Sequence, residues 1–443
     1  MKVLVLNGSP AGEDSVTLYT VKYIEKRFSN CEFEVVHVAR RIRAIEQDFS
    51  ACAASLNGAD LILFCYPVYT FLVPAQLHQF IEMMKALDLA GKTATQVTTS
   101  KHFYDVTAHR FIQDNCDDMG LNYIQGLSAD MEDLLRENGR REALDWFRHV
   151  LWSMENGWHE PAFYGMDRPA PEPVRLGEAL TPATQRKGGE VVVVTDMATD
   201  TVRQMVERFT AILPHDARVV DISTFDFAGG CLGCFNCAAD GKCVYRDGFD
   251  EFLRQNIQQS SAIVYAFAVK DHSMGYRFKL FDDRQFCNGH RTVTMGRPVG
   301  YLVDGSLRDE PNLRMLLEAR AQVGGNQLAG VACSRDDPQR QIARMAAELS
   351  YAIENDYRQP GNFFGVGGMK IFRDLIYMMR GLMRADHKFY RQHGFYDFPQ
   401  KRPGRIIGMY AVGAMMNSKA LKKKIGGRMT EGMVGPYKKA VEK

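Results

Sequence analysis

Strand-length apolar runs alternate with helix-length amphipathic segments along the first third of the chain. An all-apolar run such as VLVL at residues 3–6 is typical of a parallel strand that is covered on both faces. The predicted strands comprise residues 3–6, 33–38, 59–66, 93–98 and 122–125. The predicted helices comprise residues 16–28, 74–87 and 138–154. Strands that alternate with helices predict an α/β fold with a doubly wound parallel sheet.

The same pattern recurs in the second half of the chain. Its predicted strands comprise residues 190–195, 218–222, 261–268, 298–304 and 327–331. Its predicted helices comprise residues 201–213, 276–286 and 338–354. Val3 corresponds to Val191, whereas Leu61 corresponds to about Ile263, so the second copy is longer between its second and third strands. We therefore predict a tandem duplication, with an insertion in the second copy.

Composition shifts suggest where the copies begin and end. Pro and Glu are frequent in residues 168–182, as is typical of a linker. The predicted division is a first sheet domain over residues 1–165, a linker over 166–187, a second sheet domain over 188–360, and a C-terminal extension over 361–443.

Four cysteines lie within the insertion of the second copy, in the run CLGCFNCAADGKC. Cys231, Cys234, Cys237 and Cys243 follow the spacing C-x2-C-x2-C-x5-C. Thiolates at this spacing favour a cuboidal iron–sulfur cluster, because three of them can converge on one multi-atom centre. Structural zinc usually takes two C-x2-C pairs separated by a longer loop. Zinc and a glycine-rich turn without a metal remain the alternatives.

Three loops of the first copy are predicted to meet where its strands end, at the edge where such sheets bind ligands. Residues 7–17 offer hydroxyl groups and a helix start, which suit a phosphate monoester. That loop has neither GxGxxG nor the lysine of a P-loop. Residues 67–74 offer apolar and aromatic side chains for a planar ring, and residues 98–103 offer polar groups for a ring edge. Each loop by itself also fits ordinary turn chemistry. The candidate ligand-binding residues are Ser9, Ser15, Val16, Thr17, Pro67, Val68, Tyr69, Thr70, Phe71, Thr98, Thr99, Ser100 and His102.

The NGSP turn, the YPVY loop before a proline-started helix, and the order of the elements resemble the NADPH-dependent FMN reductase superfamily. The segment CLGCFNC…GKC resembles that of the iron–sulfur flavoproteins within it. The resemblance covers about residues 1–360 and implies two flavodoxin-like domains. It also implies FMN with its phosphate on the first loop and its ring on the second, and a 4Fe-4S cluster on the four cysteines. Such proteins are usually dimers with flavin sites at the subunit interface.

The two copies depart from that pattern in complementary ways. The first copy lacks the cysteines, whereas the second has Asp196 and Asp200 where a phosphate would lie and AVKDHSMGY instead of the ring loop. This complementary loss predicts a covalent pseudo-dimer with one composite site, in which the cysteine loop faces the Tyr69 loop. A second flavin in the second copy remains open.

Charge is distributed unevenly. Residues 361–443 contain 17 Lys and Arg against 5 Asp and Glu, although the whole chain has a net charge of only +2. An amphipathic helix is expected over residues 367–384, with Lys370, Arg373, Arg380 and Arg384 off its apolar side. It either packs on the body or docks on a membrane surface or protein partner. The extension shows no nucleic-acid recognition pattern, so nucleic acid is not an expected partner.

No run reaches the roughly 20 apolar residues needed to span a bilayer. The six other cysteines are scattered along the sequence, and the N-terminus does not resemble a signal peptide. Together these features predict a cytoplasmic protein, with peripheral membrane attachment as an option.

The leading hypothesis is an oxidoreductase that passes electrons from NAD(P)H or ferredoxin through FMN and a 4Fe-4S cluster to a small-molecule or protein acceptor. One alternative is a non-catalytic electron-transfer or redox-sensing protein that docks through its tail. Another is an FMN reductase with a structural zinc. No protein acid or base is assigned, and His102 and Tyr104 are candidates by loop position only.

Overall fold

The computed structural model describes residues 1–163, 174, 176–177, 181–416, 434, 437 and 440–441. Most of the predicted linker, over residues 166–187, lies outside the described residues. The predicted domain limits at 165 and 188 therefore stay predictions.

The first sheet is parallel and has strand order β2-β1-β3-β4-β5, with β6 also paired to β4. Its strands are β1 (Lys2–Asn7), β2 (Glu32–Val36), β3 (Leu61–Pro67), β4 (Thr93–Ser100), β5 (Asn122–Tyr123) and β6 (Leu127–Asp130). Its helices are α1 (Val16–Glu25), α2 (Val38–Gln47), α3 (Ser50–Gly58), α4 (Ala75–Met84), α5 (Asp105–Asp118) and α6 (Glu137–Glu155). This is the flavodoxin-like order 2-1-3-4-5.

The second sheet is also parallel and repeats that order as β8-β7-β9-β10-β11. Its strands are β7 (Lys187–Thr195), β8 (His215–Asp221), β9 (Ala262–Ala268), β10 (Pro298–Asp304) and β11 (Gln327–Cys333). Its helices are α7 (Asp200–Ile212), α8 (Asn236–Asp240), α9 (Phe249–Asn256), α10 (Gly275–Arg284), α11 (Pro311–Val323) and α12 (Pro338–Glu354). The predicted fold of two tandem, doubly wound parallel sheets is confirmed.

Apolar burial joins the two sheet domains. The strands are covered on both faces, and Val3, Leu4, Val5 and Leu6 are at most 1% exposed. The largest cluster of buried apolar side chains draws on both copies, including Phe80 of α4 and Phe278 of α10. Residues Met1–His387 accordingly form one compact unit, and Lys388–Lys443 form a second.

The C-terminal extension begins with a helix that packs on the sheet domains. Helix α13 (Phe363–Met378) lies against α11, and Gly368 lets it approach the ring of Phe103 and the side chain of Val323. Packing on the body is therefore the correct choice between the two predictions for this segment. The expectation that Arg373 lies on a solvated basic face of this helix is wrong, because the side chain is buried.

Helices α14 (Arg384–Gln392) and α15 (Pro403–Met416) follow in the described part of the extension. Within the described residues, the structure has no helix that is both long enough and apolar enough to cross a bilayer. The docking role predicted for the basic tail stays a prediction.

Truncation of Ile376 to Ala should lower the free energy of unfolding by about 2–5 kcal/mol, because the side chain is fully buried on α13. Met378→Ala is the matched control on the same helix. Met378 is 60% exposed, so its truncation should cost no more than about 0.5 kcal/mol. Urea unfolding of both variants measures the difference. Equal, small effects would show that the helix is not docked.

Candidate functional site

The four cysteines lie on one loop between β8 and α9, directly after the second strand of the second copy. Gly233 and Gly241 have φ values of +63° and +83°, a backbone conformation that favours glycine. They bracket the short helix α8, which carries Cys237. The loop thus bends back on itself within a few residues, as wrapping a compact centre requires.

Arginine side chains hold this loop by its carbonyl groups. Arg284 donates to the carbonyl of Gly229 at 3.0 Å and forms a bidentate pair with Asp247 at 2.7 and 2.8 Å. Arg291 donates to the carbonyl of Cys237 at 3.2 Å, and Arg254 donates to that of Gly241 at 2.9 Å. The backbone is therefore fixed at both ends of the cysteine run, independently of the thiols.

Two of the thiols, those of Cys231 and Cys237, sit in an environment that disfavours free thiolates. Burial raises the pKa of Cys231 to about 12 and that of Cys237 to about 11. One compensating contact is the amide of Gly233, which donates to the Cys231 sulfur at 3.5 Å. Since the thiolate is the form that binds metal, a positive centre is what would make deprotonation favourable here.

The spacing of the sulfurs distinguishes two kinds of centre. A tetrahedral zinc with Zn–S bonds of about 2.3 Å would bring its sulfurs to about 3.8 Å from one another. In the part of the chain that the structure describes, no three cysteine sulfurs lie within 4.8 Å of one another. The four thiols are therefore not arranged as a closed tetrahedral zinc site.

The cysteine loop lies against the predicted ring loop of the other copy. A Cβ atom placed on Gly233 would overlap the hydroxyl oxygen of Tyr69, and one placed on Gly230 would lie 2.6 Å from the Gln76 side-chain amide. Tyr69 also packs edge-on against Phe286 of the second copy, with ring centroids 5.8 Å apart. The predicted juxtaposition of the two loops is therefore present.

A buried ion pair holds the Tyr69 loop in this position. The Lys279 ammonium, fully buried on α10, donates to the carbonyl of Tyr69 at 3.0 Å and to the hydroxyl oxygen of Thr70 at 2.7 Å. Its counter-ion Asp283 accepts from the Thr70 hydroxyl at 2.7 Å and from the amide of Ala75 at 2.8 Å. Sequence reasoning missed this pair, because a Lys and an Asp four residues apart normally lie on a solvated helix face.

The first predicted loop forms a compact turn before α1. The Asn7 side-chain amide donates to the carbonyl of Gly12 at 2.9 Å, and its oxygen accepts from the amide of Ser9 at 3.1 Å. Ser15 caps the helix by accepting from the amide of Leu18. Ser9 and Ser15 are nearly buried, whereas Val16 at the first helical position is 41% exposed. At the start of α1 the Val16 side chain is therefore exposed, whereas the side chains of Ser15 and Thr17 on either side are buried.

The third loop is more enclosed than its sequence suggests. Thr99 lies 2.6 Å from Thr17, hydroxyl to hydroxyl, which links the third loop to the first. Thr98 lies 2.8 Å from Nε2 of His109, whose pKa burial lowers to about 4. The amide of His102 donates to the Ser100 hydroxyl oxygen at 2.8 Å, and the His102 ring stays exposed beside Asp105.

Helix α13 covers the far end of this loop. Tyr104 donates its hydroxyl to the carbonyl of Phe364 at 2.6 Å, and the Phe103 ring lies 4.1 Å from that of Phe372. Of the predicted ring loop, Pro67, Val68 and Tyr69 are half-buried, Thr70 is held by Lys279, and Phe71 is buried beneath Phe103. Fewer residues are therefore accessible to a planar ring than the thirteen that were predicted to bind the ligand.

The corresponding turn of the second copy is acidic. Thr199 caps α7 by accepting from the amide of Val202, and its hydroxyl donates to Asp304 at 2.8 Å. Asp196 accepts from the amide of Ala198, and burial raises the pKa of its carboxyl group. Two carboxylates beside the helix start make this end a poor site for a phosphate.

Residues 1–111 match the family model described as NADPH-dependent FMN reductase. An iron-sulfur flavoprotein of Archaeoglobus fulgidus is 27% identical over 174 residues, which cover 37% of this chain and 79% of that protein. The predicted resemblance is confirmed.

Solved structures with one such domain align to about a third of the chain. An FMN-dependent NADH-azoreductase from Bacillus anthracis is 13% identical, with coverages of 35% of this chain and 99% of that one and a TM-score of 0.27. An NAD(P)H:quinone oxidoreductase from Methanothermobacter marburgensis is 14% identical, with coverages of 37% and 99% and a TM-score of 0.28. The strand order of the two sheets itself identifies the fold.

Gly233→Ala should loosen the contact between the two loops, because the new methyl group overlaps the Tyr69 hydroxyl. We expect a loss of about 1–3 kcal/mol in unfolding free energy beyond the cost of the positive φ. Gly248→Ala is the control, since Gly248 has φ +79° and nothing within 4 Å of an added Cβ. Adding Tyr69→Phe should recover most of the Gly233→Ala loss. The contact is not as described if Gly233→Ala and Gly248→Ala unfold alike.

Proposed function

We propose that the chain is an oxidoreductase that holds FMN on its first copy and a 4Fe-4S cluster on the cysteine loop of its second copy. The observation that carries this proposal is the contact between Gly233 of the cysteine loop and Tyr69 of the ring loop. The two predicted cofactor sites come from opposite halves of the chain, yet their loops touch. Electron transfer between two bound cofactors requires such proximity.

The first copy has features that fit FMN. The start of α1 favours a phosphate, because the amide groups of a helix start and the helix dipole both attract negative charge. The turn that precedes α1 is tight enough that a Cβ on Gly8 would overlap Leu77 of α4. Val16, Pro67, Val68, Tyr69 and His102 keep accessible surface around this turn and the neighbouring loops. The matched family, whose description names FMN reductase, supports the same assignment.

The cysteine loop has features that fit an iron–sulfur cluster better than zinc. Its sulfurs are spaced more widely than the ligands of one tetrahedral ion, and its backbone is preorganised by Arg284, Arg291 and Arg254. Cuboidal clusters take four thiolates around a centre several ångströms across. A relative named as an iron-sulfur flavoprotein supports this assignment.

When bound, FMN accepts a hydride and releases single electrons, and a cluster moves one electron at a time. The chain's own contribution is to fix the distance between the two sites through Lys279 and Asp283, and to limit solvent access through α13. The donor in this proposal is NAD(P)H or ferredoxin, and the acceptor is a small molecule or a protein.

Cys234→Ala should abolish or remodel the cluster, whereas Cys31→Ala should leave it intact. Both cysteines are at least partly exposed, but only Cys234 belongs to the predicted ligand set. Iron and sulfide analysis of anaerobically purified protein should give about four of each per chain for the wild type and for Cys31→Ala. One zinc and no sulfide in the wild type would overturn the cluster assignment.

Val16→Asp should expel FMN by placing a carboxylate where the phosphate is proposed to bind. Val16 is exposed at the first position of α1, so the new charge is not buried and favours the helix itself. Thr201→Asp is the matched control at the start of α7 in the second copy. Flavin absorbance per chain measures both. If FMN is retained in Val16→Asp and lost in Thr201→Asp, the flavin binds to the second copy instead.

Oxidation of NADH or NADPH by the loaded wild type tests the enzymatic part of the proposal. Turnover with an artificial electron acceptor is expected, and it should fall with loss of FMN in Val16→Asp. A chain that binds both cofactors but does not oxidise either nucleotide would instead support the electron-transfer or sensing alternative.

A further inference from the structure

A second cluster of ionisable side chains lies at the interface of the two copies, away from the cysteine loop. It joins His78 and Glu82 of α4 to Asp271 in the loop after β9. Nε2 of His78 lies 3.8 Å from Oε1 of Glu82 and 3.8 Å from Oδ2 of Asp271. One ligand atom from each residue lies within 4.8 Å of the other two.

The imidazole of His78 is fully buried and aimed into this triad without a hydrogen bond. Among the described residues, neither ring nitrogen of His78 has a hydrogen-bond partner, and neither does Oδ2 of Asp271. The separation of 3.8 Å is too long for a hydrogen bond. With the two oxygens no more than 4.8 Å apart, however, a point equidistant from the three atoms lies within about 2.5 Å of each, which is close to metal–ligand distances for imidazole and carboxylate.

The other carboxylate contacts orient the triad. Lys270 pairs with Oε2 of Glu82, and Lys85 pairs with Oδ1 of Asp271 at 2.8 Å and with Asp118 at 2.9 Å. The amide of Tyr276 donates to Oε1 of Glu82 at 2.9 Å. The lysines thus hold the outer oxygens and leave the inner ones turned toward His78. Metal-binding carboxylates are commonly oriented by outer contacts of this kind.

The duplication supplies an internal comparison. Tyr69 forms an isolated β-bridge with Leu72, and Lys270 forms the equivalent bridge with Ser273. Equivalent residues of the two copies are therefore 201 positions apart at this point. At that offset His78, Glu82 and Asp271 correspond to Lys279, Asp283 and Thr70. The backbone contact is repeated as well, because Ala75 donates to Asp283 as Tyr276 donates to Glu82.

The two triads differ in what occupies the centre. In one, the ammonium of Lys279 reaches Asp283, the Thr70 hydroxyl and the Tyr69 carbonyl, so a side chain of the protein supplies the cation. In the other, the shorter His78 side chain stops 3.8 Å from both carboxylates. The position that corresponds to the Lys279 ammonium in the other copy thus lies among three groups that can ligate a metal, those of His78, Glu82 and Asp271.

We propose that His78, Glu82 and Asp271 bind a divalent first-row transition-metal ion that links the two copies. One imidazole and two carboxylates are a ligand set suited to Mn²⁺, Fe²⁺ or Zn²⁺. The ion replaces, on one side of the pseudo-two-fold axis, the ammonium that Lys279 provides on the other. This site is independent of the proposed FMN and iron–sulfur cluster.

Mn²⁺ is the probe, because thiolates on the cysteine loop have little preference for it. The full-length protein, purified anaerobically with its cofactors and dialysed free of loose metal, is titrated while the EPR signal of free Mn²⁺ is followed. The wild type should bind one Mn²⁺ per chain, and binding should raise its midpoint of thermal unfolding.

His78→Lys is the decisive variant, since it copies the ammonium of the sister triad. It should bind Mn²⁺ at least about tenfold more weakly, and its thermal midpoint should not respond to Mn²⁺. His149→Lys makes the same change on the exposed face of α6 and should behave as the wild type. If His78→Lys does not fold, Glu82→Gln removes one ligand charge while it keeps an acceptor for Tyr276, and it should also lose the site.

Equal Mn²⁺ affinity in the wild type and the folded triad variants would overturn the proposal, because the ion would then lie elsewhere. The absence of Mn²⁺ binding by the wild type would overturn it too.

Discussion

The buried ammonium of Lys279 joins the two halves of the chain. It extends from α10 of the second copy to the backbone and hydroxyl oxygens of the Tyr69–Thr70 segment in the first. A buried ion pair is tolerated only when its remaining hydrogen-bonding groups are satisfied. Asp283 meets that condition through Thr70 and the amide of Ala75. The position of Tyr69, and with it the meeting of the ring loop and cysteine loop, depends on this pair.

Duplication within one chain allows the two sides of that interface to differ. In a homodimer every substitution appears twice, so a cysteine loop and a ring loop would each occur on both subunits. Here Tyr69 has Lys270 as its counterpart, and the ammonium of Lys279 has the imidazole of His78. One half therefore has the exposed Val16 at its helix start, whereas the other has Asp196 and Asp304 beside its helix start and carries the four cysteines. The asymmetry permits a single composite site.

The segment after residue 361 belongs to the same arrangement. Helix α13 closes the far end of the third loop through Phe364 and Phe372. Further along, the buried Asp386 pairs with His290 at 2.9 Å and with Arg291 at 3.2 Å, and Arg291 in turn donates to the Cys237 carbonyl. This part of the extension thus supports both the third loop and the cysteine loop. The basic composition of the extension does not predict such a role.

The sequence by itself determined the two parallel sheets, since strands that are apolar on both faces fit few other folds. It also determined the cysteine motif, because the spacing of the four cysteines is a local property of the chain. It missed α2, α3, α5, α9 and α11. In α5 and α11, polar residues obscure the helical period: Asn115 of α5 and Asn312 of α11 are buried and hydrogen-bonded. Only the tertiary structure decided which polar groups are buried. Lys279, Asp283 and His78 look like residues of a solvated helix face until the opposite copy covers each of them, because burial across a pseudo-two-fold interface depends on residues about 200 positions away.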